Sequence, residues 1–177
     1  MRRFQRREFL LGVVLSPLAS AADKTLPANV VIENFSAAGV SLGKVTVPRI
    51  VKSEAEWRAV LDPAAFQVTR HEGTERAGSG KYNDHHADGL YRCICCDTAL
   101  FDSRTKFESG TGWPSFWKPV SNANVREFSD RSLMMARTAV NCRRCEAHLG
   151  HVFDDGPEPT GLRYCMNSVA LKFVARA

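Results

Sequence analysis

Short apolar runs, separated by turn-forming residues, make up the chain from Leu90 onward. Gly, Pro, Asn and Asp recur between these runs, a rhythm typical of an antiparallel, mainly β domain. Upstream, residues 30–32 and 45–47 are β-branched runs with glycines between them. They predict a small hairpin, an N-terminal β extension over residues 22–52, in which Pro48 confines the second strand to an edge.

Helix signals lie in one stretch between this extension and the β region. Ser53, followed three residues later by Glu56, is a capping box, which predicts a short helix. The helix should bury three apolar side chains: Trp57, Val60 and Leu61. Asp62 and Pro63 predict a further helical turn, because proline is tolerated in the first turn of a helix. Residues 70–90 are polar and rich in glycine, which favours a loop.

The first 21 residues have the pattern of an export signal. Arg6 and Arg7 form a twin-arginine pair, residues 9–18 are mostly apolar, and small residues precede a cleavage point after Ala21. The apolar stretch is shorter than the roughly 20 residues of a spanning helix. We therefore expect an exported, periplasmic mature chain without stable membrane insertion after cleavage. An amphipathic or buried N-terminal helix is the alternative.

The net charge argues against a nucleic-acid partner. It is +5 at pH 7, but four arginines and one glutamate within residues 1–21 contribute +3 of that value. The rest of the chain is therefore close to neutral. A nucleic-acid binder needs a concentrated basic surface, so none is expected here.

Six cysteines supply the first candidate chemistry. Four of them form two C-x-x-C turns that predict one structural zinc ion: Cys93, Cys96, Cys142 and Cys145. Disulfides are the first alternative in an exported protein. A second is a local zinc site of Cys142 and Cys145 with His148 and His151, which would leave the first turn unused. Cys95 does not easily reach the same ion, because both its neighbouring ligands already point inward.

Cys165 has no C-x-x-C partner and lies in a segment, residues 163–173, that alternates like one continuous strand. The alternation puts Arg163, Cys165 and Asn167 on the face of the apolar positions, towards the core. Arg163 should lower the pKa of Cys165 and favour its thiolate. A buried structural cysteine is the alternative interpretation. His148 and His151 are candidate acids, and Trp113 lies in a rigid aromatic turn.

Together these residues resemble the B-type methionine sulfoxide reductases. The shared motifs run in order through residues 91–96, 109–116, 142–145, 148–153, 155–157 and 161–168. The resemblance covers residues 53 to 173 and leaves residues 22–52 outside it. It places the reductase domain at residues 53–177.

The resemblance implies a mainly β fold of two antiparallel sheets packed like a tent, with short N-terminal helices and a zinc clamp. It implies zinc at the four C-x-x-C cysteines and Cys165 as the nucleophile. Trp113 and Phe153 would hold the substrate, and Asp155 would support the site. His148, His151, Arg163 and Asn167 would line it, with His151 as the acid. The implied reaction reduces methionine R-sulfoxide, peptide-bound or free, through a Cys165 sulfenic acid.

One departure from the family pattern affects the recycling step. Many members carry a resolving cysteine where this chain has Thr111, between two glycines. Cys95 could resolve the sulfenic acid instead, but we favour an external thiol, from a thioredoxin-like protein or another donor. The competing function is a non-catalytic, zinc-bearing module that binds a ligand on the same fold.

Overall fold

The computed structural model of the protein describes residues 26–130 and 137–177. The predicted export signal, residues 1–21, lies outside these ranges. The described chain begins with the predicted hairpin, formed by strands β1 (Asn29–Phe35) and β2 (Ser41–Pro48). Asn29 pairs with Pro48, and the two strands make a separate two-stranded sheet in which Pro48 sits on an edge strand.

Two short helices follow, as the capping signals predict. Helix α1 (Glu54–Val60) has Ser53 as its cap, and both hydrogen bonds of the capping box form. It buries Trp57, but Val60 is 62% exposed, so the expected burial of Val60 is wrong. Helix α2 (Pro63–His71) is capped by Asp62. No helix within the described ranges is long and apolar enough to cross a membrane.

Within residues 89–130 and 137–175, nine further strands form two antiparallel sheets. They are β3 (Gly89–Cys93), β4 (Ala99–Asp102), β5 (Lys106–Phe107), β6 (Ser115–Phe116), β7 (Val125–Asp130), β8 (Arg137–Cys142), β9 (His148–Phe153), β10 (Arg163–Met166) and β11 (Leu171–Ala175). One sheet has the strand order β5-β6-β10-β9-β8-β7, and the other has the order β11-β3-β4. The predicted mainly β class with antiparallel sheets and few helices is confirmed.

Aromatic rings join the two sheets into one core. Phe101 of β4 stacks on Phe116 of β6 with ring centroids 4.5 Å apart, and Tyr91 of β3 meets Phe116 edge-on at 5.0 Å. Tyr164 of β10 lies 5.8 Å from Phe101. All four rings are almost fully buried. One face of the six-stranded sheet therefore packs against this core, and the opposite face is available for a functional site.

The segment around Cys165 is not the single strand that its alternation predicts. Strand β10 ends at Met166, a 3-10 turn (Ser168–Ala170) follows, and β11 continues in the other sheet. Within β10 the buried Tyr164 and Met166 pack in the core, so Arg163 and Cys165 share the opposite face. The expected common face of Arg163 and Cys165 is thus correct, but its expected direction towards the core is wrong.

Asn167 and Glu75 explain the break. The Asn167 amide donates to the Leu149 carbonyl at 3.1 Å and accepts from the Glu75 backbone N–H at 2.9 Å. The Glu75 carboxylate then accepts the backbone N–H groups of Ser168 and Val169, at 2.7 and 3.1 Å. These bonds satisfy donors that a continuous strand would offer to a neighbouring strand, so the chain turns at this point.

Candidate active site and metal centre

The candidate nucleophile lies on the face of the six-stranded sheet away from the core. Cys165 of β10 is directly opposite His151 of β9, and Arg163 is opposite Phe153. Directly opposed residues of antiparallel strands have Cβ atoms about 4.5–5.5 Å apart. Gly150 permits this close pairing, because a Cβ at that position would collide with the Cys165 carbonyl oxygen. Strand register therefore brings the thiol and an imidazole together.

A cavity of about 130 Å³ opens above this pair. Five of the predicted site residues line it: Trp113, His151, Phe153, Cys165 and Asn167. Thr74 and Arg137 also line the cavity, and no sequence motif predicts either of them. His148, Arg163 and Asp155 are not among the lining residues, but Arg163 contacts the Cys165 side chain through a hydrogen bond.

Burial controls the ionisation of the candidate nucleophile. Desolvation raises the pKa of Cys165, and this outweighs the hydrogen bond from Thr111 and the charge of Arg163, which both lower it. The expected lowering by Arg163 is therefore present, but burial outweighs it, and the expectation that the thiolate is favoured is wrong. Asp155 holds the Arg163 guanidinium by two hydrogen bonds of 2.8 and 2.9 Å.

The two histidines have different surroundings. His148 is 2% exposed, and burial lowers its pKa from the ordinary value of 6.5 to about 4, so its imidazole is neutral at pH 7. Its Nδ1 lies 3.2 Å from Asn141 Oδ1. His151 borders the cavity and has Asp130 Oδ2 at 2.9 Å from its Nε2. This arrangement favours His151 over His148 as the proton donor.

The aromatic wall is held by a loop that the sequence marks only as polar and glycine-rich. The Trp113 indole N–H donates to the Glu75 carbonyl at 3.1 Å, and Gly78 N–H donates to the Gly112 carbonyl at 2.8 Å. Gly112 has a φ of +87° and lies against the Gly78 backbone, so a side chain does not fit there. Glu75 thus fixes both Trp113 and the turn after Cys165. Its partners lie far away in sequence, and no local pattern reveals them.

The two C-x-x-C turns meet in space. Cys93 Sγ lies 3.6 Å from Cys145 Sγ, and Cys96 Sγ lies 3.4 Å from Cys142 Sγ. All four sulfur atoms are within 4.8 Å of one another. A tetrahedral zinc ion with Zn–S bonds of about 2.3 Å places its sulfur ligands about 3.8 Å apart. The cluster therefore fits one zinc ion.

Both alternatives for the cysteines disagree with this geometry. The sulfur separations far exceed the disulfide bond length of about 2.05 Å, and all six cysteines are free. The local site with His148 and His151 also fails, because those side chains contact Asn141 and Asp130 instead. Cys95 lies beside the cluster, where hydrogen bonds with Cys145 and Cys93 lower its pKa to about 3.

The close packing of the thiols also changes pKa values within the cluster in opposite directions. Hydrogen bonds with Cys142 raise the pKa of Cys93 and of Cys145 and lower that of Cys96. A set of sulfurs that partly ionises at such close range needs a cation to balance it. This chemistry is that of a closed, four-thiolate metal site.

The fold and the site define a β domain in which a thiol-bearing cavity accompanies a four-cysteine metal clamp. Residues 61–175 match the family model of the SelR domain, and the chain belongs to this family, that of the B-type methionine sulfoxide reductases. The peptide methionine sulfoxide reductase MsrB of Pseudomonas entomophila is 59% identical over 128 residues, which are 72% of this chain and 98% of the relative. MsrB of Herminiimonas arsenicoxydans is 55% identical over 127 residues, 72% of this chain and 93% of the relative.

Proposed function

We propose that the chain reduces methionine R-sulfoxide to methionine and so repairs oxidised proteins. The observation that carries this proposal is the position of Cys165, which borders an aromatic-walled cavity directly opposite His151. Its membership of the family and its relatives named peptide methionine sulfoxide reductase support the same reaction. A peptide, a protein or the free amino acid would supply the sulfoxide.

The reaction needs a nucleophile at sulfur and a proton at oxygen. Cys165 Sγ attacks the electrophilic sulfoxide sulfur and forms a temporary Sγ–S bond. The protonated oxygen then passes to Sγ: the S–O bond and the temporary Sγ–S bond break, an Sγ–O bond forms, and methionine leaves with the cysteine as sulfenic acid. The sulfur of the substrate is reduced while the cysteine is oxidised. Because burial raises the pKa of Cys165, the resting thiol carries the proton that the reaction needs. His151 would take it from Sγ and deliver it to the oxygen, so no net proton is consumed.

The cavity walls would choose and orient the substrate. Trp113 and Phe153 provide an apolar enclosure for the S-methyl group, since both line the cavity beside Cys165. Asn167 lines the same cavity, with its amide held by Leu149 and Glu75. Arg163 and Asp155 would not line the cavity themselves. They would form a charge pair that supports strand β10.

Zinc would be held by Cys93, Cys96, Cys142 and Cys145, in the cluster described above. Bound there, it would supply structural cross-linking of two turns and no chemistry at the sulfoxide. A closed four-thiolate site leaves no position open for a substrate.

An external thiol, from a thioredoxin-like protein or another donor, would return Cys165 to its reduced form. Thr111 Oγ1 lies 3.9 Å from Cys165 Sγ, in the place where a resolving cysteine would be needed. Cys95 instead contacts the zinc-ligand cysteines. The proposal predicts that Cys95→Ser still turns over with a protein reductant. A stall after one turnover would assign resolution to Cys95.

The reaction is tested with purified protein, dithiothreitol and the separated R and S epimers of a blocked methionine sulfoxide. We expect loss of the R epimer alone, and no loss with Cys165→Ser. If neither epimer reacts while one zinc ion is bound per chain, the non-catalytic ligand-binding module replaces the reductase as the function.

We also propose export to the periplasm by the twin-arginine route. The support is the sequence pattern of residues 1–21, with cleavage after Ala21. A fusion of these residues to a reporter that folds before export should reach the periplasm. Replacing Arg6 and Arg7 together by lysine should keep it in the cytoplasm, and unchanged export would contradict the proposal.

A further inference from the structure

A carboxylate outside all the sequence motifs reaches the candidate acid. Asp130 is the last residue of β7, and its Oδ2 lies 2.9 Å from His151 Nε2. Both side chains are largely buried, with 15% and 12% of their surfaces exposed. Strand β8 lies between β7 and β9 in the sheet, so this contact spans a whole strand.

A small residue on β8 makes the contact sterically feasible. Ala139 is the cross-strand partner of both Phe128 on β7 and His151 on β9. Its methyl group leaves space on this face between the outer strands. A longer side chain at position 139 would occupy the path that joins the Asp130 carboxylate to the imidazole.

Arg137 fixes the carboxylate from a second side. Its Nη2 lies 2.9 Å from the same Asp130 oxygen, and Asp130 and Arg137 are direct partners across β7 and β8. Arg137 also lines the cavity. Among the described residues, the carboxylate thus contacts both the Arg137 guanidinium and the His151 imidazole.

We propose that Asp130 is a positioning residue that acts through His151 by fixing the orientation and the tautomer of its ring. The inference rests on the proposed function. A carboxylate at one ring nitrogen sets which nitrogen carries the proton and which way the ring faces. Four titratable or charged described residues face His151: Asp130 from β7, Arg137 from β8, His148 from its own strand and Cys165 from β10.

The test compares Asp130→Asn, Asp130→Ala and Asp130→Glu with wild type. Asp84→Asn, at an exposed loop position, is the control that removes the same charge. Single-turnover rates of R-sulfoxide reduction are measured at pH 7, together with kcat and KM. Circular dichroism and metal content confirm that each variant is folded.

We expect Asp130→Asn and Asp130→Ala to lower kcat about 10- to 100-fold, because a positioned acid contributes about that much or more. KM should change less than about twofold, since Asp130 is not among the cavity-lining residues. The single-turnover rate should fall together with kcat. Asp130→Glu, which keeps the carboxylate, should restore part of both rates.

Two results would overturn the inference. A folded Asp130→Asn variant with unchanged kcat would show that His151 does not depend on the carboxylate. A raised KM with unchanged kcat would assign Asp130 to substrate contact, and a loss of kcat that Asp130→Glu does not rescue would assign it to structure. Failure of the proposed function itself is distinguishable, because the wild type would then be inactive on both epimers.

Discussion

At the scale of single residues, Cys165 shows why a charged neighbour does not by itself make a reactive thiolate. Arg163 and Thr111 favour the thiolate, but desolvation of the sulfur is the larger effect and raises its pKa. A sequence reveals the neighbour, since it is two residues away, and does not reveal how much water the fold removes. The same limit applies to Asp130, whose contact with His151 depends on strand order.

Cys165 should therefore react slowly with an alkylating reagent at neutral pH and faster as the pH rises. Arg163→Gln should slow alkylation at a given pH by up to about tenfold, because one unit of pKa is a tenfold change in thiolate. Rates are measured by mass spectrometry of the peptide that contains Cys165. Arg104→Gln, an exposed charge-matched control, should leave the rate unchanged. Faster alkylation in Arg163→Gln would contradict this account.

His148 should make stability depend on pH. Its folded pKa is lowered to about 4 by burial, so the unfolded chain binds the proton first as the pH falls below about 6.5. Between pH 7 and 5.5 this linkage should remove about 1 kcal/mol from the free energy of unfolding. The free energy of unfolding of His148→Gln, measured in urea at both pH values, should fall correspondingly less. An equal fall in both proteins would show that His148 is not the cause.

At the scale of elements, the sequence predicts structure that depends on neighbouring residues and does not predict structure that depends on residues far apart in the chain. The capping box of α1 and the two C-x-x-C turns are contained in a few residues each, so the sequence predicts them. The end of β10 depends on Glu75, which lies 93 residues before its partner Ser168. The apolar alternation continues past this break, because Val169, Leu171 and Phe173 pack against the same core, although Leu171 and Phe173 belong to the other sheet.

Glu75 is expected to support two elements at once. Glu75→Ala removes the acceptor for two backbone N–H groups, at Ser168 and Val169, and should lower the free energy of unfolding by about 1–2 kcal/mol. It should also raise KM several-fold, because Trp113 is anchored to the same loop. Glu75→Gln keeps one acceptor oxygen, so its free energy of unfolding should lie between those of wild type and Glu75→Ala. Urea titration and steady-state kinetics measure these effects, and an unchanged KM with reduced stability would limit Glu75 to the turn.

At the scale of the whole molecule, the N-terminal hairpin is attached to the second cysteine turn. Arg49, just after β2, pairs with Glu146, and the next residue, Ile50, donates its N–H to the Arg144 carbonyl at 2.9 Å. Asn124 adds hydrogen bonds to both backbone groups of Glu33 on β1. The hairpin precedes the range matched by the family model, residues 61–175, yet it braces part of the matched domain.

Arg49→Gln should weaken this attachment. The Arg49 side chain is 7% exposed, and loss of a hydrogen bond to a charged group costs about 2 kcal/mol of unfolding free energy. Zinc transfer from the folded protein to a coloured chelator should become several-fold faster. Arg58→Gln, which breaks an exposed pair within α1, should change neither quantity appreciably. Equal transfer rates for Arg49→Gln and wild type would show that the hairpin does not protect the metal.

The break between β10 and β11 also ties the thiol to the metal clamp by a short length of backbone. Six positions beyond Cys165, Leu171 pairs with Cys93, and Ile94 donates its N–H to the Ala170 carbonyl at 3.0 Å. Loosening of the first cysteine turn would therefore disturb the segment that ends at Cys165. In a cell starved of zinc, we expect methionine sulfoxide to accumulate even when the reducing thiols are plentiful. The enzyme would depend on zinc for its structure, although zinc takes no part in the reaction.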